Sequence, residues 1–212
     1  MRILVLSEGR HESGNWIGGG VFTCDGAVPA LPRLVHRLLQ RDDISFSCER
    51  LHDVRAQRGK GNRWGRKVKA AIRHASAQGF DAAIVVVDRD GCHDADRQVP
   101  MRLAKDELDA DGSLARCAVG TPVESFDAWM IADADAIEAA GGDKSKACLA
   151  PEDLAHPKDR ADEVFDTVDG KGLGAKYPIV AQCADLEMLE HWCPRGFKPF
   201  AQDVKAIRPG GA

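Results

Sequence analysis

The run AAIVVV at 82–87 is apolar without alternation and stops abruptly at Asp88-Arg89-Asp90-Gly91. Such a run suits a strand covered on both faces, the situation inside a parallel sheet. A second run, RILVL at 2–6, ends in the same manner on Ser7-Glu8-Gly9, and weaker strands are expected at 44–48 and 114–119. Between the strands, apolar residues recur at helical spacing: Leu31, Leu34, Val35, Leu38 and Leu39 after Pro29 and Pro32, then Val68, Ala71, Ile72 and Ala75. Further helices are expected at 97–110 and at 125–140, where Gly141-Gly142 closes the second, and beyond Pro151 at 176–183, 186–192 and 200–207. The glycine-rich stretch 13–27 reads as a long mobile loop. This order predicts an α/β fold: a mainly parallel sheet of about four strands flanked by helices. The core is expected over 1–140, with a helical C-terminal portion, 141–212, packed on it.

Several classes of protein drop out. No stretch approaches the roughly eighteen apolar residues of a membrane span, and the apolar run after Arg2 is too short for a signal peptide. The chain therefore reads as cytoplasmic, with no membrane partner. Its cysteines, at 24, 48, 92, 117, 148, 183 and 193, include no Cys-x-x-Cys pair. Most read as reduced, partly buried apolar residues, not as a disulfide framework or zinc site.

A net charge of −4 conceals a division along the chain. Arg55, Arg58, Lys60, Arg63, Arg66, Lys67, Lys69 and Arg73 lie in a stretch, 54–80, that holds no acid, whereas 22 of the 33 acids fall between Asp81 and Asp169. Basic residues interleaved with glycines and Trp64 suit a phosphate backbone and a stacked base, so Arg55, Arg58, Lys60, Arg63, Trp64, Arg66 and Lys67 are candidate nucleic-acid contacts. A solvated helix face and its preceding loop account for the same charges.

Open parallel sheets gather functional groups at the carboxyl ends of their strands. Glu8 and Glu12 follow the first strand, Asp88 and Asp90 the AAIVVV strand, and Glu124 and Asp127 the fourth. An Asp-x-Asp pair leaving a strand points both carboxylates to one side, where they can hold one ion. Mg²⁺ or Mn²⁺ takes oxygen ligands of this kind together with phosphate and water. Bound metal would also relieve the repulsion of so many carboxylates.

These residues carry a resemblance. Ser7-Glu8-Gly9-Arg10-His11-Glu12 with Val85-Val86-Val87-Asp88-Arg89-Asp90-Gly91 resembles the Toprim domain of topoisomerases, primases, recombination-repair proteins and certain nucleases. The stretch from Pro122 to Asp133, with Glu124, Ala128, Trp129, Ala132 and Asp133, resembles the Glu-x-x-x-Ala-Trp-x-x-Ala-Asp signature of a bacterial Toprim-like family, met in mobile and defence gene neighbourhoods. The likeness extends to about residue 200, and departs from the pattern in the glycine-rich 13–27 insertion. It implies that Glu8 is a metal ligand or general acid/base, that Asp88 and Asp90 hold Mg²⁺ or Mn²⁺, that Glu12 serves a second metal and that Glu124 is the acid after the fourth strand. It also implies a late lysine, Lys176 or Lys171, stabilising charge on the reacting phosphate. The implied activity is metal-dependent cleavage of DNA or RNA by an effector of bacterial antiviral defence. With no phosphate loop of its own, the chain would answer to an ATPase partner. Tyr177 lacks the surroundings of a topoisomerase nucleophile.

A reading from another class remains open: a non-catalytic Toprim-like subunit binding nucleic acid or a partner protein. Nucleotidyl transfer is a third use of the same acids, without the modules a primase carries. His93 reads as a turn residue or metal neighbour, Trp16 as a packed anchor, and Phe126 and Trp129 as core.

Overall fold

A computed structural model of the chain describes residues 1–13, 21–23, 28–56, 59–91, 96–110, 112 and 114–207. In chain order the elements are β1 (Arg2–Ser7), α1 (Arg10–Ser13), β2 (Val21–Thr23), α2 (Ala30–Leu39), β3 (Ser45–Arg50), α3 (Arg63–Ala77), β4 (Ala82–Val86), α4 (Gln98–Asp109) and β5 (Arg116–Gly120). There follow α5 (Asp127–Met130), α6 (Ala134–Ala139), α7 (Pro157–Phe165), α8 (Leu173–Cys183), α9 (Leu186–Trp192) and α10 (Phe197–Ala206). The fold is α/β. The sheet runs β2-β3-β1-β4-β5, with β1, β3, β4 and β5 parallel and β2 antiparallel on the edge of β3.

The four expected strands are the four parallel ones. The edge strand β2 lies in the region read as a loop from its glycines, because three residues between glycines leave no periodicity to detect, and the single turn of α1 ends where that region starts.

Unbroken apolar runs arise because both faces of the sheet are covered. Ile3, Val5, Ile84 and Val86 point to one side, into a cluster with α2, α5, α6, α8 and α10. Leu4, Leu6, Val85 and Val87 point to the other, against Val68 and Ile72 of α3 and Met101 and Ala104 of α4. On that second side the helices come close at Gly65, where a Cβ would stand 2.9 Å from the Pro100 carbonyl oxygen. On the first side Trp129, fully buried, stacks on Phe200 with centroids 5.3 Å apart and meets Phe197 edge-on at 5.2 Å. Residues beyond 140 thus share one apolar cluster with the strands.

The expected single helix over 125–140 is instead two short helices. Asp133, 7% exposed, accepts from Asp135 N (2.9 Å) and Ala136 N (3.1 Å) to start α6, and from Asp185 N (2.7 Å) just before α9. A carboxylate that caps one helix and receives an amide from another segment interrupts the chain there. Residues 128–132 are buried on every side, so their pattern does not reveal the break. The helices at 173–183 and 197–206 each start three residues earlier than expected.

Chain order sets the position of the crevice. From β1 the chain goes to β3 on one side, then returns to place β4 on the other. The carboxyl ends of β1 and β4 therefore flank the topological switch point, where open α/β sheets bind ligands. Among the described residues no helix is long and apolar enough to cross a membrane.

Candidate functional site

The β4–β5 pairing continues past both strand ends. Val87 N donates to Gly120 O (3.0 Å), Arg89 N to Pro122 O (3.1 Å) and Asp90 N to Glu124 O (3.1 Å). The turn at 88–91 is thereby laced to the loop at 122–126, which aligns Asp88, Asp90, Glu124 and Asp127. Asp90 and Glu124 both sit in the left-handed region, at φ 48° and 62°. That conformation costs side-chain-bearing residues on the order of 1 kcal/mol or more and collects at functional sites. A Cβ on Gly91 would lie 3.6 Å from the Glu124 carboxylate.

Three acids, buried Glu12 and half-buried Asp88 and Asp127, form an inner group linked by the effect of their charges on Glu12 and Asp88. Glu12 is 4% exposed, and its Oε2 is buried without a hydrogen-bond partner. Its carboxyl folds over Gly9, where a Cβ would fall 2.5 Å from Oε1. Burial, reinforced by the charges of Asp127 and Glu8, pushes Glu12 up to about 8 against the pull of the Ser7 hydroxyl and the Gly9 amide. Ser7 is itself fixed by Ser13, Oγ to Oγ at 2.6 Å. Asp88 accepts from Phe126 N (2.9 Å). Desolvation, then the charges of Glu12, Asp127 and Asp90, raises it well above the usual carboxylate range. Asp127 receives the hydroxyls of Ser125 (2.7 Å) and Tyr177. Burial and the Asp127 carboxylate raise the Tyr177 phenol well above its ordinary value, so Tyr177 stays a donor.

An outer group mixes charges. Arg97, its side chain 12% exposed, donates to the Asp88 carbonyl and pairs with Asp90 at 3.0 Å. Its guanidinium lies 4.7 Å from the Trp64 ring centroid, and that of Arg63 lies 5.2 Å away. Glu8 is exposed by area yet raised, first by desolvation, while Arg97, Arg63 and Lys67 counteract the shift. The basic segment thus begins beside β1, because Asn62 caps α3 by accepting from Trp64 N (2.8 Å) and sets the helix start there.

The candidate nucleic-acid contacts divide. Arg55, Lys60 and Arg63 are exposed. Arg66 is committed to the carbonyls of Gly59 (2.9 Å) and Gly61, and Lys67 to those of His52 (3.2 Å) and Val54. Trp64 is a half-buried ring carrying guanidiniums, not an open platform. Arg58, Trp16 and His93 lie outside the described residues. Lys176 is directed elsewhere: its ammonium donates to Ala140 O (2.9 Å), at the C-terminal end of α6. Lys171 is exposed. Phe126 and Trp129 are core residues, as expected.

Two groups escaped the sequence reading. Arg97 carries no mark of its own in the chain, and the role of Tyr177 as a donor leaves no local signal because its partner lies 50 residues away.

Among the described residues no three His, Cys, Asp or Glu side chains are already gathered as a metal-ligand set. The inner group nonetheless fits a hard divalent cation. It offers oxygen donors only, one of them a buried oxygen without a partner, in surroundings where the carboxylates raise one another. Comparison with protein families, curated proteins and solved structures finds no match for this chain.

Proposed function

We propose that this protein is a Mg²⁺- or Mn²⁺-dependent phosphodiesterase acting on DNA or RNA. The observation that carries the reading is the acid group at the switch point of the sheet, buried Glu12 with half-buried Asp88 and Asp127. Carboxylates left in such a position without a counter-charge are costly, and a bound cation turns that cost into affinity. Arg63 lines a cavity with Glu8, and the exposed Arg55 and Lys60 belong to the same basic stretch, cations that would meet a phosphate backbone.

Glu12, Asp88 and Asp127 would hold the metal, with Asp90 and Glu124 at its mouth. Bound there, a divalent ion supplies a polarised water and counter-charge for a phosphodiester. The remaining roles belong to the chain. Tyr177 and Ser125 orient Asp127; Gly9 and Ser7 hold Glu12 in place; Arg97 fixes the turn that presents Asp88 and Asp90. Glu8, at the outer edge, would accept a proton or complete the coordination of a ligand-bound ion. Lys176, bound to a helix carbonyl, would need to change partners to reach a reacting phosphate. The nucleotide switch for such an enzyme would come from an ATPase partner.

The test is incubation of the purified protein with end-labelled single- and double-stranded DNA and RNA in Mg²⁺ or Mn²⁺. Cleavage is expected, and is expected to vanish with chelator and in Asp88→Ala. Cleavage surviving both would overturn the reading. Salt-sensitive binding with no hydrolysis under any divalent metal would replace it with a non-catalytic binding subunit.

A further inference from the structure

Beside Glu8 lies a cavity of about 190 Å³ walled by Leu51, His52, Ala56, Trp64, Arg63 and Lys67. Its cations are not equivalent. Lys67 spends its ammonium on the carbonyls of His52 and Val54, and Arg66, at the rim, spends its guanidinium on those of Gly59 and Gly61. These bonds strap the carbonyls of His52, Val54, Gly59 and Gly61 onto α3 and so help build the cavity wall. Arg63 stays exposed, held over the indole of Trp64. The polar groups still facing a ligand are one carboxylate acceptor, Glu8, one guanidinium donor, Arg63, and the exposed imidazole of His52, 3.7 Å from the Asp53 carboxylate. The remaining walls are apolar or aromatic.

This composition does not suit a bare phosphate, which Glu8 would repel. It suits a planar heterocycle: ring faces against Leu51, Ala56 and Trp64, an N–H edge toward a carboxylate, and a ring or carbonyl acceptor toward a guanidinium. The volume has room for one base. A base can enter only when unpaired and lifted from its neighbours. The cavity also sits next to the acids, since Trp64 carries Arg97, which in turn holds the Asp88–Asp90 turn.

We propose that the cavity lined by Leu51, Ala56, Trp64, Arg63 and Glu8 receives one unpaired nucleobase, so that the ligand is a single strand or a duplex carrying an unpaired nucleotide. This rests on the phosphodiesterase reading for its ligand class and adds the strandedness that reading leaves open. Arg63 would travel from its own ring contact to the base, and the exposed Arg55 and Lys60 would follow the flanking phosphates.

The experiment measures fluorescence anisotropy in Ca²⁺ with three labelled probes: a mixed-sequence single strand, the same backbone made of abasic residues, and the same sequence closed into a blunt hairpin. The intact strand is expected to bind about tenfold or more tightly than either other probe, the scale of one stacked base. Ala56→Phe, which fills the cavity, is expected to reduce the intact strand to the abasic affinity and leave abasic binding unchanged. Equal binding of intact and abasic strands by the unmodified protein overturns the proposal, and so does a full base preference in a folded Ala56→Phe variant. Should that variant fail to fold, the comparison of probes with the unmodified protein decides alone. Base-dependent binding without cleavage in Mg²⁺ or Mn²⁺ would remove the phosphodiesterase and keep the pocket. Metal-dependent cleavage with base-blind binding would do the reverse.

Discussion

The inner and outer acids of this site stand side by side and are treated in opposite ways. Glu8 and Asp90, on the outside, have cations close at hand: Arg97 pairs with Asp90 at 3.0 Å and, with Arg63 and Lys67, counters the rise in Glu8. Glu12, Asp88 and Asp127, inside, are served only by hydroxyls and backbone amides, and one oxygen of Glu12 has nothing. A folded protein satisfies buried charge wherever it can. The outer acids have cationic partners and the inner ones do not, and the proposed metal would supply the missing positive charge.

The largest effect should come from the inner group. Asp88→Asn is expected to reduce metal-dependent cleavage by about 100-fold or more, the scale of losing a charged partner in a dry site. The same substitution should raise the melting temperature in chelator, because it removes a repelling carboxylate and keeps an acceptor for the Phe126 amide. A lowered metal-free melting temperature would erase the distinction between inner and outer acids.

Next in size is a dependence on pH. The Glu12 carboxyl titrates near 4.5 in an unconstrained chain and is pushed up to about 8 here, so between those values the native state holds the extra proton. Stability in chelator should therefore be complete below 4.5 and fall as pH rises through about 8, by on the order of a few kcal/mol. Mg²⁺ or Mn²⁺ should raise the melting temperature more at pH 8 than at pH 6. Glu12→Gln should flatten both trends. A melting temperature indifferent to pH between 5 and 8 would contradict the buried like-charge cluster.

A comparable but purely steric test concerns Gly9→Ala. The added methyl would meet Glu12 Oε1 at 2.5 Å, and a loss of about 1–3 kcal/mol is expected on denaturant unfolding. A neutral result would mean that Glu12 moves aside freely.

The outer group should respond more weakly. Arg97→Met is expected to cost about 1–2 kcal/mol through the lost bonds to Asp88 O and Asp90. It should also raise the Glu8 titration further, read by carboxyl NMR. An unchanged Glu8 would show that Arg97 does not neutralise it. Smallest of all, Arg55→Ala and Lys60→Ala should each lower nucleic-acid affinity slightly and reduce the salt slope by about 1.

Much of the scaffold was legible in the chain because its signals are local. AAIVVV reads as a buried strand from composition alone, and it is one, since covering both faces of a sheet demands an unbroken apolar run. Acids directly after such runs arrive at the same sheet edge whatever the details of the helices. The break at Asp133 was not legible, because it depends on an amide brought from Asp185. Neither was Arg97, whose partners Trp64, Asp88 and Asp90 are set by how α3 and α4 close on each other at Gly65.

The sequence by itself determined the α/β architecture, the strand-end placement of Glu8, Asp88 and Asp90, and the separation of a basic stretch from an acidic half, because each depends on residues that are neighbours in the chain. Only the tertiary structure decided which acids influence one another, which cations are spent on backbone carbonyls, and that Tyr177 and Arg97 serve different halves of one candidate site. Those outcomes turn on burial and on charges brought near from 50 or more positions away, such as Asp127 and Tyr177. Local sequence carries no record of either.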